Sequence, residues 1–238
     1  RKGRKEVLKK APANMVYIPS GKFVMGELEK VTTGEKNTLP HLQEVEAFYM
    51  DRTEVTNQSY LAYLNWLLKV EGDLINYQFA LPDTHVWHRP MSYNEPFVRE
   101  YLRHPSYQYY PVVGISWVQA NLYCEWRTAR INELDSMSED SIVVRLPTEL
   151  EWEHASLTAY SYNEQNMTND RYFSIRQKLG FGRGKMMHNF YRGRGDAGGV
   201  AHRPNDAGLI PAPVYMYEPN DFGWYNMPGN VPEWVADA

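Results

Sequence analysis

The side chains with most chemistry in them sit in irregular, glycine-rich segments toward the C-terminal end. Asn189, Asp206, Asn230 and Glu233 are oxygen donors in such segments. Hard cations such as calcium take six to eight oxygens from carboxylates, amides and the carbonyls that loops expose. The same residue types also form turns, because Asn and Asp side chains bond their own backbone, so sequence leaves both readings open. The sequence has one cysteine, Cys124, which excludes an internal disulfide and any cysteine-pair chemistry within these residues. Placed among Trp117, Leu122 and Trp126, it reads as a buried, inert thiol rather than a nucleophile.

Other candidates fall on context. Gly193-Arg-Gly-Asp-Ala-Gly198 matches GxGxxG, but pyrophosphate binding requires a helix to follow, and Gly199 with Pro204 forbids a long one. Asp221-Phe222-Gly223 lacks every other kinase signature. His85 and His88 have no third ligand near them in sequence and read as a surface pair. His154 reads as a half-buried, hydrogen-bonded residue rather than a base.

The elements that must position these groups are marked by capping chemistry. Ile142, Val143, Val144 and Leu146 are a β-branched run that predicts a short buried strand, which Pro147 stops. Thr148 and Glu151 then form a capping box, acidic residues crowd the helix start, and Trp152 is the apolar anchor, with Ala155 keeping the far end slim. Ser116 and Gln119 form a second box. The helix after it is expected to turn Trp117, Val118, Ala120, Leu122, Cys124 and Trp126 inward and to end in a charged turn at Arg127, Arg130 and Glu133. Thr56 caps a helix from residue 57 to about 69, with Tyr60, Leu61, Leu64, Leu67 and Leu68 at helical spacing. Strands are expected at 15–18 and 22–25 around Pro19-Ser20-Gly21, at 45–50, at 111–115 and at 212–216. Residues 27–41, 160–180 and 181–199 read as loop. Residues 71–110 read as a long, aromatic-filled excursion, a kind of loop that is uncommon unless it is functional or packed on something.

Composition bounds the rest. The 238 residues include 18 Tyr and 7 Trp, and the formal net charge is −4. That balance gives no electrostatic case for nucleic acid. No apolar run approaches the roughly 20 residues a bilayer span needs. Residues 1–14 read as a basic linker and 15–238 as one domain, without repeats and ending as if cut short.

Four ordered segments now stand together: Asp51-Arg-Thr-Glu-Val-Thr-Asn57; Pro111-Val-Val-Gly-Ile-Ser-Trp117 with Tyr123-Cys124-Glu125-Trp126; Arg145-Leu-Pro-Thr-Glu-Leu-Glu-Trp152; and Gly229-Asn-Val-Pro-Glu-Trp234. In them the chain resembles the formylglycine-generating-enzyme (sulfatase-modifying factor) family. The resemblance implies a single loop-rich α+β domain related to the C-type-lectin fold. Tyr101-Leu-Arg-His-Pro105, Trp126-Arg-Thr-Ala-Arg-Ile-Asn-Glu133 and the 189–199 segment are similar to the gliding-motility lipoproteins of Bacteroidota, the GldJ branch first and the GldK branch second. That implies a non-catalytic structural or assembly part of the gliding and type IX secretion machinery. It would sit on the periplasmic side of the outer membrane through an upstream lipid anchor, with other envelope proteins as partners, and the 71–110 excursion is the candidate contact surface.

The family's enzymes bind copper through a C-terminal cysteine pair and oxidise a substrate cysteine. That pair would fall beyond Ala238, so the resemblance gives no catalytic residue and no copper site here, and Cys124 matches a structural helix cysteine. Calcium ligands carry over as Asn189, Phe190 (carbonyl), Asp206 and Gly208 (carbonyl) for one ion. For a second they are Asn230, Val231 (carbonyl), Glu233 and Val235 (carbonyl). Pro232 departs from the Trp usual there in the enzymes and alters the backbone beside the second site. The alternatives are a sulfatase-activating oxidase and a calcium-dependent sugar-binding module.

Overall fold

The computed structural model describes residues 12–25, 41–88, 94–134 and 141–158, and then 189, 210–217, 219, 223–227 and 229–237. The basic linker up to residue 11, the GxGxxG segment, Asp221, Phe222, Phe190, Asp206 and Gly208 lie outside the described residues. Four strands are β1 (Met15–Ile18), β2 (Gly21–Met25), β3 (His41–Val45) and β4 (Phe48–Asp51). The helices are α1 (Asn57–Trp66), α2 (Leu74–Ala80), α3 (Glu95–Glu100), α4 (Trp117–Leu134) and α5 (Glu149–Thr158). The architecture is thus mixed helix and strand.

The strands do not pair as a simple hairpin around Pro19-Ser20. β1 runs antiparallel to β4, from Met15 opposite Asp51 to Ile18 opposite Phe48, and β2 runs antiparallel to β3, from Gly21 opposite Val45 to Met25 opposite His41. The single expected strand at 45–50 is therefore two, split at residues 46 and 47. α5 packs on β2 and β3. There His154 is buried at 4% exposure, deeper than expected, with Nε2 3.1 Å from the Pro19 carbonyl.

Three further expected strands are corrected. Residues 142–146 are extended but enter no ladder, and Val143 is 73% exposed. Side chains of α4 stand in for a neighbouring strand: Asn132 donates to the Ile142 carbonyl (2.8 Å) and accepts its N–H (2.8 Å), and Thr128 accepts the Val144 N–H (2.9 Å). Residues 111–115 make a single bridge, Pro111 to Thr56. Residues 214–217 form turns. In the first two cases β-branched composition signals a half-buried chain, and pairing depends on what lies beside it; in the third only Val214 is β-branched.

α1 ends at Trp66 and passes into one π turn at Leu67–Glu71, closed by Gly72. Thr56 caps α1 by accepting the Ser59 N–H (3.1 Å). Tyr60, Leu64 and Leu67 are buried as expected, joined by Tyr63, while Leu68 is 40% exposed. With Ala80 of α2 and Tyr123 of α4 they form the first core cluster. The rings of Tyr60, Tyr63 and Tyr123 stand 5.6–5.8 Å apart, each contact adding roughly 0.5–1.5 kcal/mol beyond area burial. The inward face of α4 is therefore Tyr123 with Trp126, not the Trp117–Val118 side, where Trp117 is 37% and Val118 49% exposed.

The 71–110 excursion is more helical than its sequence suggests, holding α2, α3 and two short 3₁₀ turns. Asn57, fully buried, fastens it to α1 by donating to the carbonyls of Tyr101 (3.0 Å) and Tyr107 (2.9 Å). Gly114 takes φ +78°, and a Cβ there would meet the Asp83 carbonyl oxygen at 2.3 Å, so only glycine lets these two backbones meet. A second core cluster, Ile18, Ala155, Trp224 and Met227, joins β1 to α5 and the C-terminal turns, with Trp152 packed on it.

Candidate functional site

Both capping boxes form. Thr148 N–H donates to Glu151 (2.8 Å) and Glu151 N–H to the Thr148 hydroxyl (3.2 Å). Ser116 N–H donates to Gln119 (2.7 Å) and Gln119 N–H to the Ser116 hydroxyl (3.3 Å). The two boxes hold the segment 229–237 between them. Trp117 Nε1 donates to the Val235 carbonyl (2.9 Å), Trp234 Nε1 to the Ile115 carbonyl (2.8 Å), and Ala236 N–H to the Pro147 carbonyl (2.8 Å). Glu149 N–H, free at the start of α5, donates to Asp237 (2.8 Å). Residues beside the two caps thus hold the strap that carries Asn230, Val231, Glu233 and Val235.

Beneath this strap lies a cavity of about 470 Å³, walled by β4, the start of α1, α4, residues 142–147 and the strap itself. One end is acidic. Glu233 accepts from Trp152 Nε1 (2.6 Å). Glu233 lines the cavity and keeps an exposed surface, yet the protein packed around its carboxyl desolvates it and pushes it up to about 7, and the charge of Glu54 pushes it the same way. Glu54 is itself raised by burial, against hydrogen bonds from Asn230 and Asn226. Asn230 Nδ2 donates to Glu54 at 2.8 Å and Asn226 Nδ2 at 3.2 Å.

Of the expected oxygen donors, the structure brings Asn189, Asn230, Val231, Glu233 and Val235 to one side of the fold. Asn189 Nδ2 donates to Asn230 Oδ1 (3.1 Å), and Asn230 N–H to the Asn189 carbonyl (2.7 Å). Asn230 Oδ1 also accepts the Ala212 N–H (2.7 Å), which fixes that amide's orientation and spends both lone pairs. In this arrangement Asn230 does not fit a direct cation ligand, and the Val235 carbonyl and one Glu233 oxygen already take indole N–H groups. Among the described residues no group of three or more His, Cys, Asp or Glu gathers as a metal cluster.

Cys124 lines the cavity, half-buried, and burial pushes its thiol up to about 11 against the lowering effect of Arg127. A thiol so raised is protonated at neutral pH and a poor nucleophile. Arg127 makes a two-pronged ion pair with Asp51 of β4. It is thus an internal link and not part of an exposed charged turn. His85 and His88 are a surface pair, their rings 5.5 Å apart, with His85 held by Asp83.

Sequence reasoning missed Glu54, Asn226 and the Arg127–Asp51 pair. Glu54 and Asp51 sit in the very segment that carries the resemblance, and Asn226 lies four residues before Asn230, but nothing local says that they converge.

The sulfatase-modifying factor enzyme 1-like domain (FGE-sulfatase) matches residues 4–238. The chain is similar to a serine/threonine-protein kinase pkn1 of Chlamydia caviae, 28% identical over 236 residues, covering 98% of this chain and 29% of that protein. It is similar to the formylglycine-generating enzyme of Mus musculus, 28% identical over 246 residues, covering 95% and 59%. It is also similar to the inactive C-alpha-formylglycine-generating enzyme 2 of Bos taurus, 25% identical over 253 residues, covering 94% and 70%. The chain therefore spans less than two thirds of the length of the first two. With the match running over nearly its whole length, the chain belongs to the FGE-sulfatase family of sulfatase-modifying factor enzyme 1-like domains.

Proposed function

We propose that this domain serves as a non-catalytic assembly part of the Bacteroidota gliding and type IX secretion machinery, in the manner of the GldJ lipoproteins with GldK as second choice. It would be held at the periplasmic face of the outer membrane by a lipid anchor and bound to other envelope proteins. The observation that carries this reading is Cys124: the sequence's one thiol is raised to about 11 and built into α4. The described helices include none long and apolar enough to cross a membrane, in keeping with anchoring by lipid. The excursion supplies a docking surface, where α2 leaves Leu74, Ile75 and Phe79 56%, 81% and 52% exposed. The lectin-like relationship of the fold belongs to the same proposal. Calcium enters it by resemblance only, and at the second site requires Asn230 to release the Ala212 N–H.

The deciding experiment incubates the full-length protein with copper and a cysteine-containing sulfatase peptide. Unchanged thiol, with the protein recovered in a defined envelope complex, supports the assembly reading. Conversion of the cysteine to formylglycine overturns it in favour of a sulfatase-activating oxidase, a reading that the similarity to the mouse enzyme favours.

A further inference from the structure

Spacing alone gives His85 and His88 no third group, but the structure brings them one. The two lie on a 3₁₀ turn, Thr84–Trp87, which His88 closes. Side chains three apart in such a turn share a face, and the rings stand 5.5 Å apart at 42°. A zinc ion about 2.0–2.1 Å from a ring nitrogen lies about 3.2 Å from that ring's centre, so two rings sharing it tetrahedrally are about 5.2 Å apart. The observed separation is close to that value.

The third group is Asp83, and it sets the tautomer of His85. Its Oδ1 accepts the His85 main-chain N–H (2.8 Å) and stands 2.9 Å from His85 Nδ1. Those bonds hold the Asp83 carboxyl below its usual value, so at neutral pH it is ionised and can only accept. Neutral His85 therefore carries its proton on Nδ1 and keeps a lone pair on Nε2, in a side chain 82% exposed. A carboxylate on the far ring nitrogen is what orients metal-bound histidines and raises their basicity. The turn itself is anchored on both sides. Asp83 N–H donates to the Gly114 carbonyl (2.8 Å), and His88 N–H to the His85 carbonyl (2.9 Å). The Trp87 ring packs 4.5 Å from that of Tyr101, and Asn94 Nδ2 donates to the Trp87 carbonyl (3.0 Å). The backbone under both rings is thus held, and only ring rotation is needed to close on an ion.

We propose that His85 Nε2 and a ring nitrogen of His88 bind one divalent cation of the imidazole-binding class, zinc or copper(II), with Asp83 as a positioning residue and water in the remaining positions. Imidazole suits these metals, whereas calcium takes oxygen ligands, so the site is chemically separate from any calcium held by the strap. Two protein ligands make an open surface site rather than a closed cage. The inference goes beyond the assembly reading and does not rest on it.

The probe is zinc chloride alone, titrated into the full chain at neutral pH and followed by calorimetry and by nitrogen-15 spectra of the histidine rings. Before zinc, the spectra should show His85 as the Nδ1–H tautomer. Zinc should then shift His85 Nε2 and a ring nitrogen of His88 together and saturably, and excess calcium should leave those signals in place. His85→Ala and His88→Ala should each weaken binding at this site at least tenfold. Asp83→Asn keeps an oxygen to cap the turn, but its amide can donate to Nδ1 and favour the wrong tautomer, so zinc should bind about tenfold more weakly. All three side chains are exposed, and an unchanged thermal midpoint without zinc verifies that the variants fold. No saturable shift of the two rings, or unchanged affinity in either alanine variant, overturns the site. An Nε2–H tautomer in the wild-type chain, or unchanged affinity in Asp83→Asn, overturns the part given to Asp83.

Discussion

At the scale of single residues, the contacts that decide stability are the ones that sequence spacing hides. Asp51 and Arg127 lie 76 positions apart, and their side chains are 23% and 17% exposed. Removing one partner strands the other charge, so Asp51→Asn should cost about 3 kcal/mol in urea unfolding. The double variant with Arg127→Met should recover much of that loss, because no charge is then left unpaired. Glu151 titrates with a definite sign. The Arg145 guanidinium and then the Thr148 N–H hold its carboxyl below the usual 4.5. A carboxyl lowered in the folded state adds stability that is complete above the unfolded value and drains away as pH falls through the folded one. Glu151→Gln should therefore flatten the acid limb of the urea midpoint below about pH 4.5 and leave the neutral region's slope unchanged. The effect is small, since Arg145 is 54% exposed and solvent screens the pair.

At the scale of elements, helix starts were legible because capping is local chemistry: a hydroxyl, three residues, and a carboxylate or amide. Thr148→Ala should cost about 1 kcal/mol. Gln119 does more than cap, since its Nε2 also donates to the carbonyls of Phe79 (2.7 Å) and Leu81 (3.0 Å) and so ties α2 to α4. Gln119→Ala should lower stability by roughly 2 kcal/mol against about 1 for Ser116→Ala, read from the same unfolding curves. Strands were less legible. Residues 142–146 have the composition of a strand, yet α4 answers one edge with the side chains of Thr128 and Asn132. No local pattern distinguishes an amide acceptor on a helix from a carbonyl on a neighbouring strand. α2 and α3 were missed for the reason that hides short helices generally. Seven and six residues show too few turns for a period to emerge, and packing of α2 on Tyr60 and of α3 on Trp87 does what periodicity would have announced.

At the scale of the whole molecule, the strap 229–237 joins the starts of α4 and α5 and closes over the acidic end of the cavity. If calcium replaces the N–H donors now held by Asn230 and Glu233, it binds only the native arrangement. The thermal midpoint should then rise with added calcium and fall on chelation, by the equivalent of about 2.7 kcal/mol at a hundred times the dissociation constant. An unchanged midpoint assigns the turns to the protein's own hydrogen bonds, as the Ala212–Asn230 contact suggests.

What the sequence determined by itself was whatever a few neighbouring residues settle: the capped starts of α1, α4 and α5, and the ordered segments that mark the family. What only the tertiary structure decided was which of those neighbourhoods meet. Glu54 reaches Asn226 and Asn230 across 172 and 176 positions, and Trp152 reaches Glu233 across 81. Proximity of that kind is set by the packing of helices and strap around a shared cavity, and the side chains concerned carry no trace of it in their immediate sequence.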